Sequence, residues 1–215
     1  MRMRLYALMA ALALAACAGV AFAQGGGGGQ RGGGAAPAGG GQAGGGRGGG
    51  GGGAAFRLTS TAFRDSTGLG YNFTCSAGAA AVSPSLAWAN PPMGTVSYTL
   101  ILHDMDPRPM RGINDILHWM VWNIPATATG LAENIPTTSA TLPDGSMQSS
   151  GNAQGPNFGY RPPCPPAGPP HHYAFELFAL DIKTELPATA TRDEVTKAMD
   201  GHVLGHSVLI GLYNR

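Results

Sequence analysis

The chain has 215 residues and a formal net charge of +1, and 20 of its 35 glycines fall between Gly25 and Gly53. Arg2, Arg4, Arg31 and Arg47 are the only charged residues before Ala54, which leaves 9 Lys+Arg against 12 Asp+Glu in the remainder. A slightly acidic remainder lacks the basic footprint of a nucleic-acid binder, so no nucleic-acid partner is expected, and about 160 residues suit one domain around a single core.

Residues 1–23 read as an export signal. Arg2 and Arg4 form a positive end before a short apolar segment, residues 5–16, too short for a permanent membrane span. Two processing sites compete. Leu14-Ala15-Ala16-Cys17 matches a lipobox and would leave Cys17 as a lipid-modified N-terminus, whereas Ala21-Phe22-Ala23 matches an ordinary signal-peptidase site. Either route places the protein outside the cytoplasm, in the periplasm, soluble or anchored to the envelope by lipid alone. Residues 24–55 offer almost nothing to bury and read as a disordered linker, spanning roughly 30 Å as a flexible coil.

The domain follows, over residues 56–215. Residues 56–63 read as a first strand, and Asn72 to Cys75 follow a glycine-rich turn. Residues 83–88 are short and extended, with Leu86 and Trp88 as core anchors. Residues 96–104 make the longest strand, Val96, Tyr98, Leu100 and Leu102 alternating with Ser97, Thr99, Ile101 and His103, until Pro107 stops the ladder. Residues 118–125 make another, with His118, Met120 and Trp122 expected on one side. Residues 126–151 read as loop. A stiff proline loop then leads into a strand on which Tyr173, Phe175, Leu177 and Ala179 share a face with His171. Thr191-Arg192-Asp193-Glu194 is a capping box that opens one short helix through Val195, Ala198, Met199 and His202. Residues 208–213 close the chain as a strand. Many short strands with Gly/Pro punctuation predict a mainly β chain: an antiparallel β-sandwich with one or two short helices near the C-terminus.

Four ionisable groups stand at strand ends where turns begin: Asp104, Asp106, His118 and His171, with Tyr173 joined to His171 by parity. A single histidine there is more often structural than a ligand, and an aspartate before proline more often forms a turn. Repetition on three strands argues for more. Brought together, imidazole N–H groups and a tyrosine hydroxyl donate to phosphate or carboxylate oxygens, while the aspartates accept from the far imidazole nitrogens and favour charged rings. An aspartate could instead accept from the ammonium of a zwitterionic head group. On this reading binding weakens as pH rises through the histidine pKa values. His103, His202 and His206 have no motif partner and read as structural.

These motifs resemble the phosphatidylethanolamine-binding proteins, in their bacterial Raf-kinase-inhibitor-like branch, over residues 56–215. Asp104-Met105-Asp106-Pro107, the run from His118 to Pro125, Asn152 with Gly155 and Gly159-Tyr160, Cys164-Pro165-Pro166, and His171-His172-Tyr173 carry the likeness, supported by residues 83–88 and 211–215. The resemblance implies a Greek-key β-sandwich whose pocket is lined by Asp104, Asp106, His118, Pro166, His171 and Tyr173, with Cys164 in the loop. It implies a non-catalytic module that binds phospholipid head groups or other phosphate-bearing small molecules, inhibitor-like towards a kinase or protease partner, with no cofactor. Met105, Arg108, Arg161-Pro162-Pro163, His172 and Ala81 depart from the family pattern.

Cys75 and Cys164 remain once Cys17 is removed or acylated, and an exported protein normally pairs two such thiols; the alternative is two buried free thiols. Two other functions stand beside the main one. The two histidines and two aspartates could hold a metal and activate water as a hydrolase does, although no His-x-x-x-His or Cys-x-x-Cys pair stands at the site and no Gly-x-Ser-x-Gly nucleophile is present. The other is a tethered envelope interaction module with a vestigial pocket.

Overall fold

A β-branched, aromatic and aliphatic run, Tyr98 to Leu102, forms the heart of a central strand over Ser97–Asp104. It belongs to a computed structural model that describes residues 54–106, 115–150 and 158–215. The signal segment with Cys17, the linker as far as residue 53, Arg108, Asn152 and Gly155 lie outside the described residues.

Among the described residues the strands are β1 (Arg57–Thr59), β2 (Thr67–Gly68), β3 (Leu86–Ala89), β4 (Ser97–Asp104), β5 (Ile116–Pro125), β6 (Gly130–Leu131), β7 (Met147–Ser149), β8 (His171–Leu180) and β9 (Val203–Tyr213). They form two sheets, β1-β3-β6 and β2-β9-β8-β4-β5-β7. Every pairing is antiparallel except β2 with β9. The chain is mainly β and sandwich-like, as its punctuation predicts.

The core between the sheets takes Leu58, Leu86, Trp88 and Leu131 from the small sheet, and Tyr98, Leu100, Leu102, Tyr173, Phe175, Leu177 and Ala179 from β4 and β8. Each large apolar side chain buried in this way contributes about 1.5–3 kcal/mol. The other face of the large sheet is covered too. Ile101, Met120, Trp122 and Leu180 pack there against Val195 and Met199 of helix α1 (Arg192–Met199). Double coverage explains why β4 reads as nearly continuous apolar sequence rather than as strict alternation.

The capping box forms as expected: Thr191 Oγ1 accepts from the Glu194 backbone, and Glu194 Oε2 accepts from the Thr191 backbone at 2.7 Å. The helix does not reach His202. It stops at Met199, and Gly201, at a φ of 79° that side chains resist, turns the chain into β9. The first strand is shorter than its composition suggests, because Ser60 Oγ accepts from Ala62 N at 3.0 Å and turns the backbone away after Thr59. Asn72 to Cys75 lie in two successive 3-10 turns. The stretch read as loop over 126–151 contains β6 and β7, which are too short to show a period.

One correction matters for function. His118 does not share a face with Met120 and Trp122. Across β4 and β5, Leu102 pairs with Trp119 but His103 pairs with Leu117, so His118 is the extra residue of a bulge. The bulge moves the His118 ring to the opposite face from Met120, towards Tyr173.

Candidate functional site

The ends of β4, β5 and β8 meet beneath the proline loop. Asp104 pairs in register with Tyr173 and with Ile116, and the bulge sets His118 beside them. Together with the loop residues Arg161, Pro162, Cys164, Pro165, Pro166, Pro169 and Pro170, these line a cavity of about 760 Å³. Asp104, Asp106, His118, Cys164, Pro166, His171 and Tyr173 all lie on its wall.

The loop is held at several points. Cys164 is disulfide-bonded to Cys75. Cys75 N donates to Pro163 O at 3.0 Å, and the buried Tyr160 hydroxyl donates to Phe73 O at 2.7 Å. Gly159 lets the loop come close to its neighbours, since a Cβ there would stand 2.9 Å from Gln148 Oε1 and 3.1 Å from the Thr137 backbone. Prolines cannot hold the loop through N–H groups they lack, so side chains and the disulfide do it instead.

His171 and Asp104 behave as the sequence suggests: His171 Nδ1 lies 2.8 Å from Asp104 Oδ2, and the carboxylate is almost fully buried. Asp104 Oδ1 accepts from Asp106 N at 3.0 Å. Asp106 turns outward to His172 and accepts both its backbone N–H and its ring Nδ1. Burial works to raise the Asp106 pKa, but these bonds from His172 and the His172 charge hold it below the usual carboxylate value.

His118 differs from the expectation of a carboxylate-backed, charged ring. Its Nδ1 donates to the Arg161 carbonyl at 2.8 Å, and Arg161 N donates back to His118 O at 3.0 Å. Burial, opposed by that carbonyl bond and by Asp104 and reinforced by the Arg161 charge, pushes its pKa down to about 4. The ring is therefore neutral at neutral pH. It stands edge-on to Tyr173 with centroids 5.2 Å apart, while His171 stacks on the same ring at 6.4 Å. Burial and the neighbouring Asp104, through its charge and its hydrogen bonding with the phenol, raise the Tyr173 pKa, so the phenol keeps its proton; its hydroxyl is buried beside that carboxylate.

Arg161 is the wall residue that sequence reasoning missed. Its Nη2 donates to Leu117 O at 3.2 Å, and its Nε is buried without a partner. Burial lowers its pKa, while Tyr173 and Asp104 favour the charge, and a guanidinium stays protonated through such shifts. A lone arginine between a core tyrosine and two prolines was the available signal. Among the described residues, no group of three His, Cys, Asp or Glu side chains is placed to hold a metal ion. The arrangement can offer an anion a guanidinium, a phenol and a histidine, with fixed acceptors at Asp104 and His118.

Known proteins share this plan. A family model described as phosphatidylethanolamine-binding protein matches residues 59–214. A UPF0098 protein of Methanothermobacter thermautotrophicus is 42% identical over 158 residues, covering 74% of this chain and 98% of its own. The crystal structure of a putative phosphatidylethanolamine-binding protein homologue from Chlamydia trachomatis superposes with a TM-score of 0.64 at 29% identity, covering 75% of this chain and 98% of its own. YbcL of E. coli, described as a new member of the mammalian family, superposes with a TM-score of 0.63 at 29% identity, covering 75% and 99%.

Proposed function

The chain belongs to the phosphatidylethanolamine-binding protein family, and on that premise we propose that its cavity binds a phosphate-bearing group, carried on a small molecule or a phospholipid head, without transforming it. The observation behind this reading is the convergence of His118, His171, Tyr173 and Arg161 on one cavity whose two aspartates are already committed, Asp104 to His171 and Asp106 to His172. A buried carboxylate facing an anion would repel it; Asp104 instead backs a ring that can point its other nitrogen inward. Hydrogen bonds to a charged ligand contribute about 1.5–3 kcal/mol each, enough for a small site to hold a small anion.

The module works outside the cytoplasm on this reading, tethered through its glycine-rich segment either to a lipid or to nothing. The Cys75–Cys164 bond supports an oxidising compartment. Regulation of a kinase or protease partner would be exercised through the same cavity and its proline rim. A metal-dependent hydrolase has no ligand set behind it among the described residues.

Calorimetry of the full chain against inorganic phosphate, phosphoethanolamine and phosphatidylethanolamine vesicles tests this and separates free from lipid-borne phosphate. Saturable binding is expected, weakened about tenfold to a hundredfold in His171→Ala. Absence of binding by all three probes, or affinity unchanged in the variant, would overturn the assignment.

A further inference from the structure

The anion-site chemistry has an asymmetry at His118. Its Nδ1 faces a main-chain carbonyl, which can only accept, so the ring proton sits on Nδ1. The return bond from Arg161 N to His118 O locks bulge and loop together, which fixes that tautomer. The other nitrogen, Nε2, then carries a lone pair on a ring that lines the cavity. The charged and titratable groups around it are Arg161 from the loop, Asp104 and His103 from β4, and Tyr173 and His171 from β8. Burial, helped by the Arg161 charge, outweighs the bond to the Arg161 carbonyl and the Asp104 charge and keeps the ring neutral.

A wall with a fixed acceptor asks its ligand for a hydrogen-bond donor. We propose that the cavity selects a protonated oxyanion, the monoanion of a phosphomonoester, whose P–O–H donates to His118 Nε2 while its other oxygens accept from Tyr173 and Arg161. This deepens the phosphate reading and rests on it. A phosphodiester or sulfate has no such proton and would set an oxygen lone pair against the ring's lone pair. In a buried site that mismatch weakens binding by about tenfold to a hundredfold. A dianionic monoester must first take up one proton on a phosphate oxygen, which then donates to Nε2.

The test is calorimetry of the full chain in buffers of differing ionisation enthalpy, with methyl phosphate, dimethyl phosphate and sulfate as probes. Dimethyl phosphate matches the charge of the methyl phosphate monoanion, and sulfate matches the size of a bare phosphate, so charge and bulk are controlled separately. The second pKa of a phosphomonoester is about 6. Methyl phosphate should therefore bind with uptake of about one proton near pH 8 and almost none near pH 5, and it should bind about tenfold or more tighter than either other probe. In His118→Gln, whose amide offers a donor as well, proton uptake should vanish and sulfate should approach methyl phosphate in affinity. Dimethyl phosphate or sulfate binding as tightly as methyl phosphate in the unaltered protein, with no proton uptake, would overturn the inference and leave the phosphate site standing. Failure of all three probes to bind would instead remove the phosphate reading itself.

Discussion

Adjacent residues of β4 carry two histidine–carboxylate assemblies on opposite faces of one sheet. On the back face both ring nitrogens of His103 face carboxylates at ion-pair distance: Nδ1 contacts Asp115 Oδ2, and Nε2 lies 3.2 Å from Glu176 Oε2. Glu176 also reaches His206 at 3.5 Å, and Asp115 reaches Arg192 at 2.7 Å. The His103 bond, against burial, holds Glu176 below its usual pKa; Asp115 is held down, also against burial, by Arg192 and His103. On the front face Asp104 backs one ring through one nitrogen, and His118 is backed only by a carbonyl. A histidine with both nitrogens engaged joins elements together. One with a single nitrogen engaged has the other left for a guest.

The front wall is a loop and the back is built of strands and a helix, so the front should depend far more on its covalent tie. Replacing Cys75 and Cys164 together by serine reopens a loop closed across a separation of 89 residues, which in the chain-entropy account costs about 4 kcal/mol. Urea unfolding should show that loss, and phosphate affinity should fall with it as Arg161 and His118 lose their register. A stability loss under about 1 kcal/mol, or intact binding, would show that the hydrogen bonds alone hold the wall.

Acid should separate the faces next. His118 has a pKa of about 4 folded against an ordinary 6.5. Between those values the unfolded chain binds the extra proton, so stability falls as pH drops from about 6.5 to about 4, by on the order of 3 kcal/mol. Glu176 and Asp115 have depressed folded values, so their contribution is complete above their unfolded pKa values and is lost only as pH falls below about 4. Unfolding free energies measured across this range should lose the upper part of the slope in His118→Gln and retain the lower part. An unchanged upper slope would contradict a buried neutral ring.

How much of this could be read beforehand depended on whether the signal was periodic. Tyr173, Phe175, Leu177 and Ala179 alternate in the sequence and share the sandwich core, and the Thr191 capping box opens the helix it announces. The hydrophobic period puts His118 on the wrong face because a one-residue bulge leaves no mark in it, though the bulge rephases every side chain before it. Its tautomer depends on the Arg161 carbonyl, 43 residues away in sequence, and its neutrality on a burial that outweighs the bond to that carbonyl. The back assembly was invisible for a related reason. Glu176 in an apolar strand asks for a partner, but only the pairing of β4 with β8 reveals that the partner is His103.

The smallest expected effect probes whether the faces are independent. Glu176→Gln keeps the side-chain shape and removes the charge that faces His103 and His206. With a quarter of that side chain in solvent, the loss should be about 1 kcal/mol of stability near pH 7. Glu176 stands opposite Ile101, whereas Tyr173 stands opposite Asp104, so the change lies three positions along β8 from the front wall and on the other side of the sheet. Phosphate affinity should therefore stay within about twofold of the unaltered protein, since the sheet separates the two sites and only His103, the smallest of the influences on His118, links them. A tenfold loss of affinity would mean that β4 transmits strain from residue 103 to residue 104, and the back assembly would then be part of the binding site rather than its foundation.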